Sequence, residues 1–179
     1  MKPINAINLP LLGKNVRIDK FRQFDLPTLY AIETDCQVKK YLGGPVKATE
    51  SDWISRILSR WDRFSLLAVR TEEDRAPIGR AALNDNLDGT VDMEIVLGEA
   101  GRGQRLGRQV AGLLVHEARR MGAEQVSCKT HRDNEHAQNL LRTFGFSEHG
   151  LINGGKYCGF KKYRLDVSAL KHIESRQIS

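Results

Sequence analysis

Two stretches of the sequence carry residue types and spacings that could do chemistry. The first is the turn Gly101-Arg102-Gly103-Gln104-Arg105-Leu106-Gly107-Arg108, set between a strand-like run, Val91 to Leu97, and a helical pattern from Leu106 to Met121. A helix start presents backbone N–H groups that have no intrahelical partner, and the helix dipole adds partial positive charge there. Arg102, Arg105 and Arg108 add charge-assisted donors. The turn is therefore suited to a phosphate-bearing ligand, and an ordinary solvated strand-to-helix connection is the plain alternative. Its glycine spacing fits neither a Walker A loop nor the Gly-x-Gly-x-x-Gly of a dinucleotide site. The second stretch holds Asp92 and Glu94, at i and i+2 of the preceding strand and hence on one face. Two carboxylates on one face can raise the pKa of one of them, which suits a general base. A solvated strand face would look the same.

The surrounding periodicity says what must position these groups. Val16 to Lys20 reads as a strand, and Asp25 as the cap of a helix carrying Leu26, Leu29, Tyr30 and Ile32. Gly43-Gly44-Pro45 breaks the chain, and Thr49 or Ser51 caps a second helix with the stripe Trp53, Ile54, Ile57, Leu58, Trp61. Three strands follow, Ser65 to Arg70, Ile78 to Leu83 and Val91 to Leu97, joined by the polar turns Glu72-Glu73-Asp74 and Asn84 to Gly89. The third helix runs from the basic turn and ends at Gly122. Gln125 to Thr130 is a strand, Asn134 caps a short helix ended by Gly145, and two strands follow near Ser147 to Leu151 and Tyr157 to Val167, before a tail from Ser168 that reads as a frayed helix. With no repeat or linker, residues 1–179 read as one mixed α/β domain.

Composition narrows the classes. Hydrophobic residues make up 40% and charged residues 28%, as in ordinary globular proteins. Cys36, Cys128 and Cys158 are too few and too scattered for a disulfide framework, so a reducing, cytoplasmic setting is expected. No signal-like N-terminus or membrane-length apolar run is present, and no membrane partner is expected. The net charge of +6 and pI near 9.4 suit an anionic ligand. Lys156 to Arg164 interleaves aromatic and basic residues as a single-strand binding surface does, but it alternates as a late strand would, so nucleic acid is disfavoured as a partner. Cys128-x-x-His131 is half of a zinc pattern without a second half, so no metal is expected.

The order of elements and two motifs resemble the GNAT superfamily of acyl-CoA-dependent N-acetyltransferases. Arg102-Gly103-Gln104-Arg105-Leu106-Gly107 is similar to the family's Arg/Gln-x-x-Gly-x-Gly/Ala turn, with Arg105 where glycine is usual. Asn134, Ala137, Leu140, Gly145 and Phe146 match Asn-x-x-Ala-x-x-Leu-Tyr-x-x-x-Gly-Phe in register, with Leu141 in place of tyrosine. Tyr30 to Ile32 and Val38 to Pro45 look like the Rim-type branch, which includes acetyltransferases of protein N-termini, polyamines and some aminoglycosides. The resemblance implies a central, mostly antiparallel sheet splayed between two parallel strands and flanked by four main helices.

It also implies a site. Acetyl-CoA is the co-substrate. Ile95, Val96 and Leu97 would hold its pantetheine arm by backbone bonds, the amides of Gly103, Gln104, Arg105, Leu106, Gly107 and Arg108 would surround its pyrophosphate with Arg102 alongside, and Asn134 would face the pantetheine. An amine acceptor must lose a proton before attack, which makes Asp92 or Glu94 the candidate base. A backbone N–H near Val96 or Leu97 would stabilise the tetrahedral oxyanion. The family tyrosine often protonates the leaving thiolate; Leu141 cannot, and Tyr157 is the candidate substitute. The rival reading is a GNAT-like domain that binds acyl-CoA without turnover. The acceptor, a protein N-terminus or a small amine, is left open. A polyamine fits the basic net charge only if Glu33, Asp35, Asp85, Asp88 and Asp92 gather locally. The oligomeric state is open too, a homodimer included.

Overall fold

In the computed structural model, residues 7–43, 48–59, 66–71, 76–86, 88–103 and 105–168 are described. The elements are β1 (Leu11–Leu12), β2 (Arg17–Lys20), α1 (Leu26–Thr34), α2 (Cys36–Lys39), α3 (Glu50–Leu58), β3 (Leu66–Arg70), β4 (Gly79–Asp85), β5 (Thr90–Leu97), α4 (Leu106–Arg120), β6 (Gln125–His131), α5 (Glu135–Thr143), β7 (Ser147–Leu151) and β8 (Phe160–Asp166). They form one sheet ordered β1-β2-β3-β4-β5-β6-β8-β7. Every neighbouring pair is antiparallel except β5 and β6. This is the mixed α/β, mostly antiparallel architecture expected, with α1, α3, α4 and α5 as its main helices.

Alternation along the strands sorts the sheet into two faces. Val91 and Met93 of β5, Val126 of β6, and Tyr163 and Leu165 of β8 join Leu106, Val110, Leu114 and Leu141 in the main core. A second cluster packs Leu26, Leu29 and Trp53 of α1 and α3 against Ala68 on the opposite face. Asp92 and Glu94 belong to that second face. The long α4 follows from its apolar stripe and from Gly122, whose φ of +89° turns the chain left-handed at the helix end. Asn134 caps α5 as expected, accepting from the Ala137 N–H at 3.1 Å. Thr49, not Ser51, caps α3 by accepting from the Asp52 N–H.

Some expectations are revised. Asp25 sits at the N-cap position of α1 but its side chain makes no cap bond. It is buried and instead accepts from Arg70 at 2.7 Å and from the Arg22 N–H at 2.8 Å. A buried guanidinium competes for the carboxylate better than a helix N–H does. The last strand begins at Phe160 and not at Tyr157, because Gly155–Tyr157 forms a short 3-10 turn. β1 and α2 were not anticipated: two residues carry no periodicity, and α2 is one turn held by the Asp35 side chain, which accepts from the Gln37 and Val38 N–H groups. Trp61, Ser65, the turn Glu72-Glu73-Asp74, the Gly44-Pro45 break and the tail after Ser168 lie outside the described residues. No described helix is long and apolar enough to cross a membrane.

Candidate active site

The ladder between the two parallel strands is short. It pairs Thr90 with Gln125, Val91 with Val126 and Asp92 with Ser127, and then ends. β5 runs on to Leu97 and β6 to His131, so the strands diverge beyond Asp92. Beyond that point β5 is paired on one side only, to β4. The bonds at its two ends show which backbone groups face which way. The Thr90 carbonyl accepts from the Asn86 N–H, and the Gly98 N–H donates to the Ile78 carbonyl. Even-numbered residues therefore bond toward β4, and beyond the last pair with β6 the N–H and C=O groups of Ile95 and Leu97 point into the opening. Of the three residues expected to hold an extended ligand arm, Ile95 and Leu97 offer free backbone groups. Val96 spends its own on β4, so Leu97 is the better-placed oxyanion donor of the pair considered. Close pairing there also requires Gly79: a β-carbon would collide with the Val96 carbonyl oxygen and with Leu97.

The basic turn ends at the same opening. Gly103 has φ +78° and Arg105 has φ +58°, the one non-glycine described residue in the left-handed region. The turn thus keeps a conformation suited to glycine even where arginine replaces it. Among the described residues, the N–H groups of Gly103, Arg105, Leu106 and Gly107 have no backbone acceptor, while the Arg108 N–H bonds the Arg105 carbonyl at 3.0 Å. The unpaired amides lie together at the start of a 15-residue helix, which is an anion cradle. A β-carbon on Gly107 would meet Leu97 and Leu140 at 3.6 and 3.8 Å, ordinary contact, so the fold tolerates a methyl there. The Leu106 side chain is core, and its contribution to a ligand is its backbone alone. Gln104 lies outside the described residues. Arg102 donates to Asp35 at 3.1 Å, tying the turn to the α1–α2 junction. The Asn134 oxygen is engaged in the cap of α5, which leaves its NH₂ group for any ligand.

Holding Arg105 left-handed costs on the order of 1 kcal/mol. Arg105→Gly is accordingly expected to leave the melting temperature unchanged or slightly raised, while weakening binding of a phosphate ligand through loss of the guanidinium. Calorimetric melting with and without ligand measures both.

The carboxylates sit in more crowded company than their spacing suggested. Asp92 accepts from the Ser127 hydroxyl and from Lys129 Nζ, the latter at 2.9 Å. Burial pushes its pKa up, but the hydrogen bonds from Ser127 and Lys129 prevail and hold it below the usual value. The expected raising of one carboxylate by the other does not occur at Asp92, because Ser127 and Lys129 bond its charged form. Glu94 accepts from Arg80 Nη1 at 2.9 Å, and the same guanidinium donates to Glu33 of α1 at 2.6 Å. The Arg80–Glu33 pair is largely buried, whereas the Glu94 side chain is 43% exposed. Burial opposes charge on Arg80, and Glu33 and Glu94 more than restore it. Tyr157 comes to the same place: Lys129 Nζ lies 5.5 Å from its ring centroid, and Phe160 and His131 continue the aromatic contacts toward Tyr41. Asp92, Glu94 and Tyr157 are thus gathered around the splay.

Lys129, Ser127, Arg80 and Glu33 were not singled out from the sequence. A signal existed: Ser127, Lys129 and His131 alternate with the apolar side of β6, and Arg80 interrupts an otherwise apolar strand. Cys128 belongs to the core face, where burial, with Glu94 adding to it, pushes its thiol up to about 12; it is inert at neutral pH. His131 stands on the other face, stacked edge-on against Phe160.

A parallel pair that splays at its middle, with an amide-lined turn at the mouth, is the arrangement the motifs implied, and comparison with known proteins agrees. Residues 15–147 match the sequence model of the acetyltransferase (GNAT) domain. No curated protein sequence matches the chain. Among solved structures, a spermidine N-acetyltransferase from Vibrio cholerae in complex with CoA and spermine superposes with a TM-score of 0.76 at 13% identity, over 87% of this chain and 98% of that one. YncA of Salmonella typhimurium, a putative acetyltransferase with its cofactor acetyl-CoA, gives 0.66 at 16% identity over 90% and 99%. RimL, a ribosomal L7/L12 alpha-N-protein acetyltransferase, gives 0.69 at 16% identity over 88% and 93%. The chain belongs to the GNAT family of acetyltransferases, whose acyl donor is acetyl-CoA.

Proposed function

We propose that this chain moves an acetyl group from acetyl-CoA to a primary amine, a protein N-terminus or a small molecule, in the manner of the Rim-type branch. The observation that carries the reading is the coincidence of the β5–β6 opening with the unpaired amides before α4. Ile95 and Leu97 hold the pantetheine as a strand would, and Gly103 to Arg108, with Arg102 alongside, hold the pyrophosphate. The NH₂ group of Asn134 faces the pantetheine. Bound acetyl-CoA supplies an activated thioester. Glu94 takes the proton from the incoming amine, because its carboxylate is the more exposed of the two and has a cation on one side only. Asp92 is the weaker base, since Ser127 and Lys129 hold it ionised. The Leu97 N–H stabilises the charge that develops on the acyl oxygen. Leu141 is buried in the core, so no hydroxyl comes from that motif position, and Tyr157 beside Lys129 supplies the proton to the thiolate.

Saturating acetyl-CoA, at about 100 times its Kd, is expected to stabilise the fold by about 2.7 kcal/mol. Gly107→Val is expected to erase most of that shift while the unliganded protein still melts cooperatively, since the first added carbon finds ordinary contacts and the rest crowds the backbone's approach to phosphate. A parental shift in Gly107→Val would mean that the turn is misassigned. Thiol release from acetyl-CoA across an amine panel tests turnover; binding without release from any amine would favour a non-catalytic acyl-CoA sensor.

A further inference from the structure

We propose that the acceptor amine carries a carboxylate several bonds from the nitrogen, and that Lys162 and Arg164 receive it. The inference rests on the acyl-transfer reading above and adds the class of acceptor. β6 and β8 pair with Ser127 opposite Arg164 and Lys129 opposite Lys162. Alternation puts all four on the face that bears Asp92 and Glu94, away from α4.

The charges on that face are unevenly placed. Each carboxylate that α1, α2 and β5 bring to the opening already has a basic partner: Glu33 and Glu94 share Arg80, Asp92 holds Lys129, and Asp35 holds Arg102. These are the groups a polyamine would need, and they are engaged. On the β8 side Lys162 and Arg164 share this face with one acid of the strand, Asp166 at its end. Lys162 makes no ion pair among the described residues. The Nε–H of Arg164 is buried with no hydrogen-bond partner among them. Asp88, whose charge Arg164 favours, is exposed and accepts from the Thr90 N–H and hydroxyl through one carboxylate oxygen. A buried guanidinium N–H without an acceptor is expensive, and an oxyanion is its natural complement.

Spacing sets the length of the acceptor. β8 lies two strands from β5, neighbouring paired strands are about 4.8 Å apart, and β5 and β6 diverge beyond Asp92, so the anion sits at least roughly 10 Å from the β5 carboxylates. An amine and a carboxylate on the same carbon cannot span this. A chain of four to six atoms, or the second or third residue of a peptide, can.

Three probes of matched length separate the alternatives: 6-aminohexanoate, pentylamine and 1,5-diaminopentane, each with acetyl-CoA and thiol release as the readout. The expected order of kcat/KM is 6-aminohexanoate first, at least about tenfold above pentylamine, with the diamine last. Lys162→Glu is expected to abolish the advantage of the carboxylate and to move the diamine ahead of it. Arg164→Gln is expected to raise KM for 6-aminohexanoate toward that of pentylamine, and the acetyl-CoA thermal shift of each variant reports whether it is folded. Equal kcat/KM for the three probes, or a lead for the diamine in the parent protein, overturns this proposal alone. No thiol release from any probe overturns the acyl-transfer reading, and this proposal with it.

Discussion

Glu94→Gln is expected to lower kcat at neutral pH by about 10² to 10⁴-fold, the usual worth of a positioned general base, with little change in acetyl-CoA affinity. The amide keeps the shape of the side chain and can still accept from Arg80, so the Glu33–Arg80 pair beneath it stays assembled. The deficit should shrink as the pH approaches the pKa of the acceptor, because free amine then becomes abundant without a base. Asp92→Asn is the necessary comparison. It removes the charge that pairs Lys129, so a smaller loss is expected, and that loss should not fade with rising pH. The depressed pKa of Asp92 has a consequence for stability as well. A carboxylate held below its unfolded value stabilises the fold above the ordinary carboxylate range, and the stabilisation is lost as pH falls through the folded value. Acid melting curves of the parent should therefore be steeper at low pH than those of Asp92→Asn. If both amide variants keep full activity across the pH range, neither carboxylate is the base, and water or backbone must serve.

Asp25→Ala is expected to destabilise the fold by about 3–5 kcal/mol without touching the opening between β5 and β6. Asp25 and Arg70 are among the least exposed charged side chains, at 1% and 7%, and meet at 2.7 Å. Removing the acid takes the 2.7 Å carboxylate partner from a buried guanidinium and also releases the Arg22 N–H, which Asp25 accepts from at 2.8 Å. For a chain of this size the loss corresponds to a fall in Tm of roughly 6 to 20 °C. The double replacement Asp25→Leu with Arg70→Met separates the pair from the packing: it should recover much of the loss, because two apolar groups leave no buried charge behind. A Tm within 2 °C of the parent for Asp25→Ala would mean that water or another partner satisfies Arg70 without the carboxylate.

The elements that position the site were legible where local physics decides them. The 3.6-residue stripe of α4, the Asn134 cap of α5 and the glycines that end both helices are short-range features, and each stands where its residues put it. The alternation of β5 put Asp92 and Glu94 on one face, as found. Asp25 was misread because a short polar side chain before a helix is ordinarily a cap; nothing nearby in sequence reveals that Arg70, 45 residues on, takes its carboxylate.

The sequence by itself determined the family, the donor and the left-handed turn that leads into α4, since these depend on patterns encoded within a few residues. Even Arg105 keeps the left-handed geometry that the motif requires. Only the tertiary structure decided the chemistry of the carboxylates. Whether Asp92 or Glu94 can act as a base depends on which charged and hydrogen-bonding groups other elements bring together there, and Lys129, Ser127, Arg80 and Glu33 come from three separate elements. Spacing along one strand carries no information about charges that arrive from its neighbours, and Coulomb and hydrogen-bond energies at contact distance outweigh the pairing of two acids on a face.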